Sequence, residues 1–329
     1  MEQKTILLSA PYMMPFLDRF VPILEEMGFS VIVPAVNERL SAAEIMQYAG
    51  KFDGAICGDD RYTADVIKAC APRLKVISKW GTGIDSIDKT AAEALGISVH
   101  RTTNAFTVPV SDSVMAYILA FARQQPWMDR NIKRGSWEKI PGRSLRECTL
   151  GVIGIGYIGK AVLRKAKAFG MTLLGNDIVS PPPDFIQETG VEMVALEELV
   201  SRADFISINC DLNPTSRHLV NADLIAKMKP TAVIINTARG PIIDQPALVS
   251  ALKNGRIAGA GLDVFEDEPI PTDSPLLEMD QVMLAPHNSN SSPCAWEAVH
   301  WNTIKNLLEG LGMPTDRLEQ IRNQKEEGF

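Results

Sequence analysis

Residues Gly151 to Lys160 read Gly-Val-Ile-Gly-Ile-Gly-Tyr-Ile-Gly-Lys, set between the apolar run Thr149 to Ile153 and a helical pattern from Lys160 to Phe169. A turn of this composition can hold a pyrophosphate. Gly154 permits the tight bend, Gly156 lets the backbone approach the anion, and Gly159 lets helix and strand pack closely. The helix opening at Tyr157 and Ile158 turns its N-terminus toward the negative charge. The next apolar run, Met171 to Asn176, leads into Asp177, 18 residues beyond Gly159 and near the spacing of about 20 expected of a ribose ligand. An acid there accepts from both ribose hydroxyls and repels a 2′-phosphate. Ile178-Val179-Ser180-Pro181 offers no cation to reverse that preference, so NAD is the expected cofactor. Flavin or S-adenosylmethionine shares such a turn, and a purely steric glycine turn is the plainer reading.

Three later segments each carry functional groups at the end of an apolar run. Ala232 to Gly240 delivers Arg239; Gly261 to Pro269 carries Asp263 and Glu268; Met283 to His287 ends in a histidine. Each alone reads as well as a surface ion pair or an exposed turn. Their order behind the fingerprint is what discriminates.

The elements that must position these groups follow a repeating pattern. Short β-branched runs alternate with amphipathic stretches: Thr5 to Ser9, Pro15 to Met27, Val31 to Pro34, Ser41 to Ala49, Gly54 to Cys57, Thr63 to Ala71 and Leu74 to Ser78, with Asp88 to Leu95 and Ile97 to Arg101 completing a first unit. This is βαβ alternation, hence a parallel sheet with helices on both faces. The run Val114 to Ala122 predicts a buried connecting helix. A second doubly wound unit follows, with strands at 150–153, 172–176, 205–209, 232–236, 258–263 and 282–285. The last helix, Cys294 to Leu311, has no strand left to serve in that sheet and is expected to return to the first. The fold class is therefore α/β: two doubly wound parallel-sheet domains, residues 1–103 with 292–329 and residues 104–291, separated by a cleft that the carboxyl ends of the strands line.

The chain has 329 residues, 46% of them apolar, enough for two cores. A net charge of −7, without a cluster of basic residues, argues against nucleic acid or an anionic membrane as partner. The start has no signal-peptide core, and no stretch is apolar enough to span a bilayer. The five cysteines include no Cys-x-x-Cys pair, so neither disulfides nor a metal site is expected, and a cytoplasmic location is.

From about residue 74 to 310 these segments resemble the D-2-hydroxyacid dehydrogenase family, particularly its 3-phosphoglycerate-dehydrogenase-like members. The resemblance implies a flavodoxin-like substrate domain and a Rossmann NAD-binding domain. It makes Arg239, Glu268 and His287 the catalytic set, and Thr237, Ala238 and Asp263 cofactor ligands, Asp263 near the nicotinamide carboxamide. The physics asks for the same types. A planar guanidinium grips the carboxylate and carbonyl oxygen of a 2-oxo acid better than an ammonium does. An imidazole can exchange the hydroxyl proton if its pKa lies near or above working pH, and a paired Glu268 would raise it.

Lys79-Trp80-Gly81-Thr82-Gly83 resembles the family's glycine loop, whose backbone N–H groups grip the substrate carboxylate; Lys79 stands where phosphoglycerate-type relatives carry a substrate-contacting arginine. Polar Asn288-Ser289-Asn290-Ser291-Ser292 departs from many relatives and would present hydroxyl and amide groups to the substrate. An added regulatory domain after the helix Cys294 to Leu311 is not expected. Interconversion of a D-2-hydroxy acid and its 2-oxo acid with NAD is the expected function, with a 3-phosphoglycerate-like substrate among the candidates. The rivals are an NAD-sensing corepressor and a same-fold enzyme for formate or phosphite. Relatives imply a homodimer through the cofactor domain, with Trp127 and Trp137 on an extended arm of the 106–137 region.

Overall fold

Runs such as Gly54-Ala-Ile-Cys57 and Val233-Ile-Ile-Asn236 are buried at every position, as strands covered by helices on both faces must be. In the computed structural model, which describes residues 3–326, such runs build two parallel sheets in two units. One unit runs to Ala105 and resumes at Ser292; the other is Phe106–Ser291.

In the first unit, β1 (Thr5–Leu8), β2 (Ser30–Ile32), β3 (Gly54–Cys57), β4 (Val76–Lys79) and β5 (Ser98–Arg101) lie in the order β2-β1-β3-β4-β5. All neighbours are parallel, which is the flavodoxin-like arrangement. The expected helix from Pro15 starts differently: a 3-10 turn, Pro11–Phe16, precedes the helix Leu17–Glu26. Pro15 has no N–H for the Pro11 carbonyl, so an α-helical first turn cannot close there. The helix Pro293–Gly310 packs on β3, β4 and β5. Ser78 Oγ donates to Thr303 O at 2.7 Å, and a Cβ on Gly54 would stand 2.8 Å from Leu307 Cδ1. This helix thus covers the first sheet, and a further helix, Asp316–Glu326, follows it.

In the second unit, β6 (Thr149–Ile153), β7 (Thr172–Asn176), β8 (Glu192–Met193), β9 (Phe205–Ile208), β10 (Val233–Asn236), β11 (Gly259–Leu262) and β12 (Val282–Leu284) run in the order β12-β11-β10-β9-β6-β7-β8. This is the dinucleotide-binding order with one strand added beyond β11, and its switch point falls between β6 and β9. Two-residue β8 gives too short a pattern to read from sequence. The helix Thr107–Arg123 buries Val114, Ile118 and Phe121. It can lie against β11 because that strand offers glycine: a Cβ at Gly261 would sit 2.7 Å from the Tyr117 ring and one at Gly259 2.8 Å from that of Phe121.

The arm expected around Trp127 is instead helical. Gln124 turns left-handed at φ +56° to end one helix, and the next, Gln125–Lys133, follows at once with Pro126 in its first turn. There the Trp127 ring stands 5.1 Å from that of Phe121, and its Nε1 donates to Asp280 O at 2.9 Å. Trp137, at 87% exposure, lies in a segment without regular structure. Among the described residues no helix is long and apolar enough to cross a membrane.

Candidate active site

The glycine fingerprint occupies the turn between β6 and the helix Tyr157–Ala168. Gly154 sits at φ +89°, and a Cβ there would press 2.5 Å from the Cys210 backbone nitrogen. A Cβ on Gly159 would overlap the Gly154 carbonyl oxygen, whereas one on Gly156 would meet nothing within 4 Å. Two glycines therefore serve close packing, and the third leaves open space beside the helix N-terminus. Gly156 itself is the N-cap residue and brings no side-chain cap, so the first-turn N–H groups of Tyr157, Ile158 and Gly159 face outward as an anion site. Tyr157 turns its ring to solvent at 64% exposure.

Asp177 follows β7 directly. Its Oδ2 accepts from Ile155 N at 2.5 Å and its Oδ1 from Val179 N at 2.8 Å, which holds the carboxylate against the fingerprint turn. Two further polar atoms, Asn209 Oδ1 after β9 and Thr237 Oγ1 after β10, are buried with no hydrogen-bond partner. Buried polar groups are normally satisfied, so these fit a ligand rich in donors and acceptors. The cradle, the uncapped helix and the two orphaned atoms suit a dinucleotide. Burial pushes the neighbouring Cys210 thiol up to about 11, so it stays neutral.

Arg239, Glu268 and His287 follow β10, β11 and β12, three adjacent strands of one sheet, and so share its carboxyl edge. His287 Nδ1 lies 2.9 Å from Glu268 Oε2, while Glu268 Oε1 accepts from Phe265 N at 3.0 Å. The carboxylate is thereby fixed at both oxygens. Arg239 stands on a turn that Asn236 clasps from inside: Asn236 Oδ1 accepts from Ala238 N at 3.0 Å and its Nδ2 donates to Arg239 O at 2.9 Å. Gly240 must be glycine, since a Cβ would overlap the Phe265 carbonyl group. That contact seats the arginine turn on the segment leading to Glu268.

Asp263 is 1% exposed. Its Oδ1 and Oδ2 accept from Asn288 N (2.8 Å) and Ser289 N (2.9 Å), and its carbonyl accepts from His287 N at 2.8 Å. Three bonds from one residue hold the loop on which His287 adopts φ +51°, a conformation unfavourable for a non-glycine residue. The sequence pointed to Asp263 only as a cofactor ligand and missed Asn236 altogether; an amide closing a strand before a tight turn was the available signal. Ser289, expected to face substrate, is 5% exposed and engaged by Asp263.

In the first unit the loop after β4 is more committed than its sequence suggests. Lys79, 4% exposed, places Nζ 3.0 Å from Asp59 Oδ1 and donates to Trp80 O at 3.1 Å. The Trp80 ring is core: its Nε1 donates to His300 Nδ1 at 2.9 Å and the ring stacks on Tyr12 with centroids 4.6 Å apart. Gly81 takes φ +117°, and Thr82 Oγ1 donates to Thr102 O at 2.8 Å. What the loop can offer a ligand is its backbone around Gly81, Thr82 and Gly83. Among the described residues no group of acids, histidines and cysteines is arranged to hold a metal ion.

Residues 115–289 match the family described as D-isomer specific 2-hydroxyacid dehydrogenase, NAD binding domain. The chain is 38% identical over 307 residues to a D-3-phosphoglycerate dehydrogenase of Methanocaldococcus jannaschii, a match that covers 90% of this chain and 56% of that protein's length. It is 41% identical over 239 residues to a glyoxylate reductase of Korarchaeum cryptofilum, covering 71% of each. Among solved structures, D-lactate dehydrogenase from Aquifex aeolicus, complexed with NAD and lactic acid, matches with a TM-score of 0.84 at 28% identity, over 97% of this chain and 98% of that one.

Proposed function

The chain belongs to the D-isomer specific 2-hydroxyacid dehydrogenase family, and on that premise we propose that it interconverts a small D-2-hydroxy acid and its 2-oxo acid with NAD. The observation that carries this reading is the His287–Glu268 pair, 2.9 Å apart, on the same sheet edge as Arg239. A nicotinamide cofactor, when bound, would supply the hydride that reduces the substrate's carbonyl carbon. With His287 Nδ1 held by Glu268, Nε2 is the nitrogen assigned to deliver a proton to the carbonyl oxygen; the alcohol forms and the imidazole is left neutral. The Glu268 carboxylate stabilises the imidazolium before transfer. Arg239 holds the substrate carboxylate and polarises the carbonyl. Asp177, with no neighbouring cation from Ile178 to Pro181, favours NAD over NADP.

The placement of Lys79 supports an uncharged substituent on the substrate, of glyoxylate or hydroxypyruvate type, over a phosphorylated one. Its ammonium is buried and committed to Asp59, and a phosphate would have to compete with that pair. A homodimer through the second unit is supported by Val108, Ile132 and Trp137, all exposed apolar side chains of its early helices and the segment after them. A cytoplasmic location is in keeping with five unpaired thiols.

The test is NADH oxidation against a panel of 2-oxo acids, with His287→Ala alongside. Turnover should fall by about 100-fold or more while NADH affinity stays within about two-fold. Equal loss of both would remove His287 from proton transfer. No reduction of any 2-oxo acid by a protein that binds NADH would favour the corepressor-like reading.

A further inference from the structure

We infer that His218 is a positioning residue for the reaction proposed above: its imidazole, bonded to Glu266, fixes the turn that carries Arg239 against the segment that carries Glu268. The role rests on that proposed reaction, and every residue in it belongs to the second unit.

His218 stands on the loop after β9 and reaches both segments. Its backbone N–H donates to Pro241 O at 2.8 Å, on the turn that follows Arg239. Its Nε2 lies 2.9 Å from Glu266 Oε1, on the segment that leads to Glu268. A carboxylate only accepts, so Nε2 carries the proton and donates. Next along the chain, Val220 N donates to Ile242 O at 3.1 Å and Asp244 N to Val220 O at 3.0 Å, which continues the tie beside the arginine turn. Glu266 is also held from the other side. Gln245 N donates to its Oε1, and its own N–H donates to Gln245 Oε1, both at 3.3 Å.

His218 and His287 share an arrangement. Both adopt φ +51°, and each places one ring nitrogen 2.9 Å from an acid of the same short segment, Glu266 for His218 and Glu268 for His287. A left-handed backbone at a non-glycine residue persists only where its surroundings hold it. For His218 those surroundings are the Pro241 carbonyl and the Glu266 carboxylate. Phe265 joins the two acids: its N–H donates to Glu268 Oε1 at 3.0 Å, and its carbonyl group is the one that a Cβ on Gly240 would overlap. A shift of Glu266 therefore moves Phe265, and with it both the seat of the arginine turn and the carboxylate that orients His287. With side chains 45% and 26% exposed, the His218–Glu266 contact adds little to stability. Its effect falls on placement, where a displacement of about 1 Å can cost on the order of 100-fold in rate.

Three variants separate the ring contact from the backbone. His218→Asn keeps a side chain that tolerates a left-handed backbone but is too short to reach Glu266. His218→Gln restores a donor at about the reach of Nε2, and the chain already holds Gln124 at φ +56°. Glu266→Ala removes the acceptor without touching the left-handed residue. His218→Asn and Glu266→Ala should each lower kcat/KM for the 2-oxo acid about 10-fold with NADH affinity within about two-fold. His218→Gln should recover most of the loss, and the double variant should lose no more than Glu266→Ala alone. A purely structural role would lower the melting temperature and leave kcat/KM per NADH-binding molecule unchanged, which overturns the inference; equal defects in His218→Asn and His218→Gln, or additive losses in the double variant, overturn it as well. The His287 ring, one of four imidazoles in the chain, gives a readout that needs no turnover. In isotope-labelled protein its resonances should move in His218→Asn and return in His218→Gln. Unmoved His287 resonances overturn the inference whatever the kinetics. Moved resonances in a protein that reduces no 2-oxo acid leave the coupling to His287 standing and defeat the proposed function.

Discussion

Asp60 follows β3 in the first unit and is wholly buried. Burial pushes its carboxyl up from 3.8 to about 6, against the lowering effect of Ser9 Oγ, Leu40 N and Lys79; Asp59 adds to the rise. The folded state thus holds this proton to higher pH than the unfolded chain does. Its contribution to stability is complete below pH 3.8 and is lost as pH climbs through about 6. At about 1.36 kcal/mol per pH unit the loss is roughly 3 kcal/mol.

His300, 2% exposed, works in the opposite sense. Burial lowers it from 6.5 to about 4, partly offset by Glu297 and reinforced by Arg19. Its contribution is present above 6.5 and lost as pH falls through about 4. Over nearly the same window the two groups cancel. Asp60→Asn removes one of them with little change of shape. The amide oxygen can keep Leu40 N (2.7 Å), and the amide nitrogen can donate to Ser9 Oγ, whose own proton can turn to Ile56 O at 3.3 Å.

The variant's first unit should therefore match the wild type near pH 4 and gain stability on approach to neutrality, by up to about 3 kcal/mol. Urea unfolding followed by tryptophan fluorescence reads it, since Trp80, Trp296 and Trp301 belong to this unit. Parallel pH profiles for variant and wild type would refute the reasoning.

Asp263→Asn sets an amide N–H₂ against one of the N–H donors of Asn288 and Ser289 and removes a charge-assisted bond, a loss of about 3 kcal/mol. If that loss falls on the placement of His287, turnover drops on the order of 100-fold, and steady-state kinetics at saturating NADH measures it. Gly159→Ala forces a Cβ into the Gly154 carbonyl, so NADH affinity by fluorescence titration should fall by about 100-fold or more; unchanged affinity would remove the fingerprint from cofactor binding. Arg239→Lys keeps the charge but loses the fork, and the KM for the 2-oxo acid should rise about 10-fold or more, with near-normal kinetics counting against the arginine.

What the sequence determined by itself rests on local signals. The glycine spacing, the acid closing the next strand, and the order of Arg239, Glu268 and His287 needed only backbone stereochemistry and strand periodicity, and with the fold class they could be read along the chain. The tertiary structure decided what depends on contacts between distant residues. Asp263 has a loop to brace only once β11 and β12 lie side by side; the Lys79 ammonium meets Asp59 only because β3 and β4 pair; the Trp80 ring becomes core only when the helix Pro293–Gly310 returns His300 to it. Spacing along a strand gives the direction in which a side chain leaves the backbone. Which partner it then meets is set by sheet order and helix return, and these follow from burial summed over the whole chain.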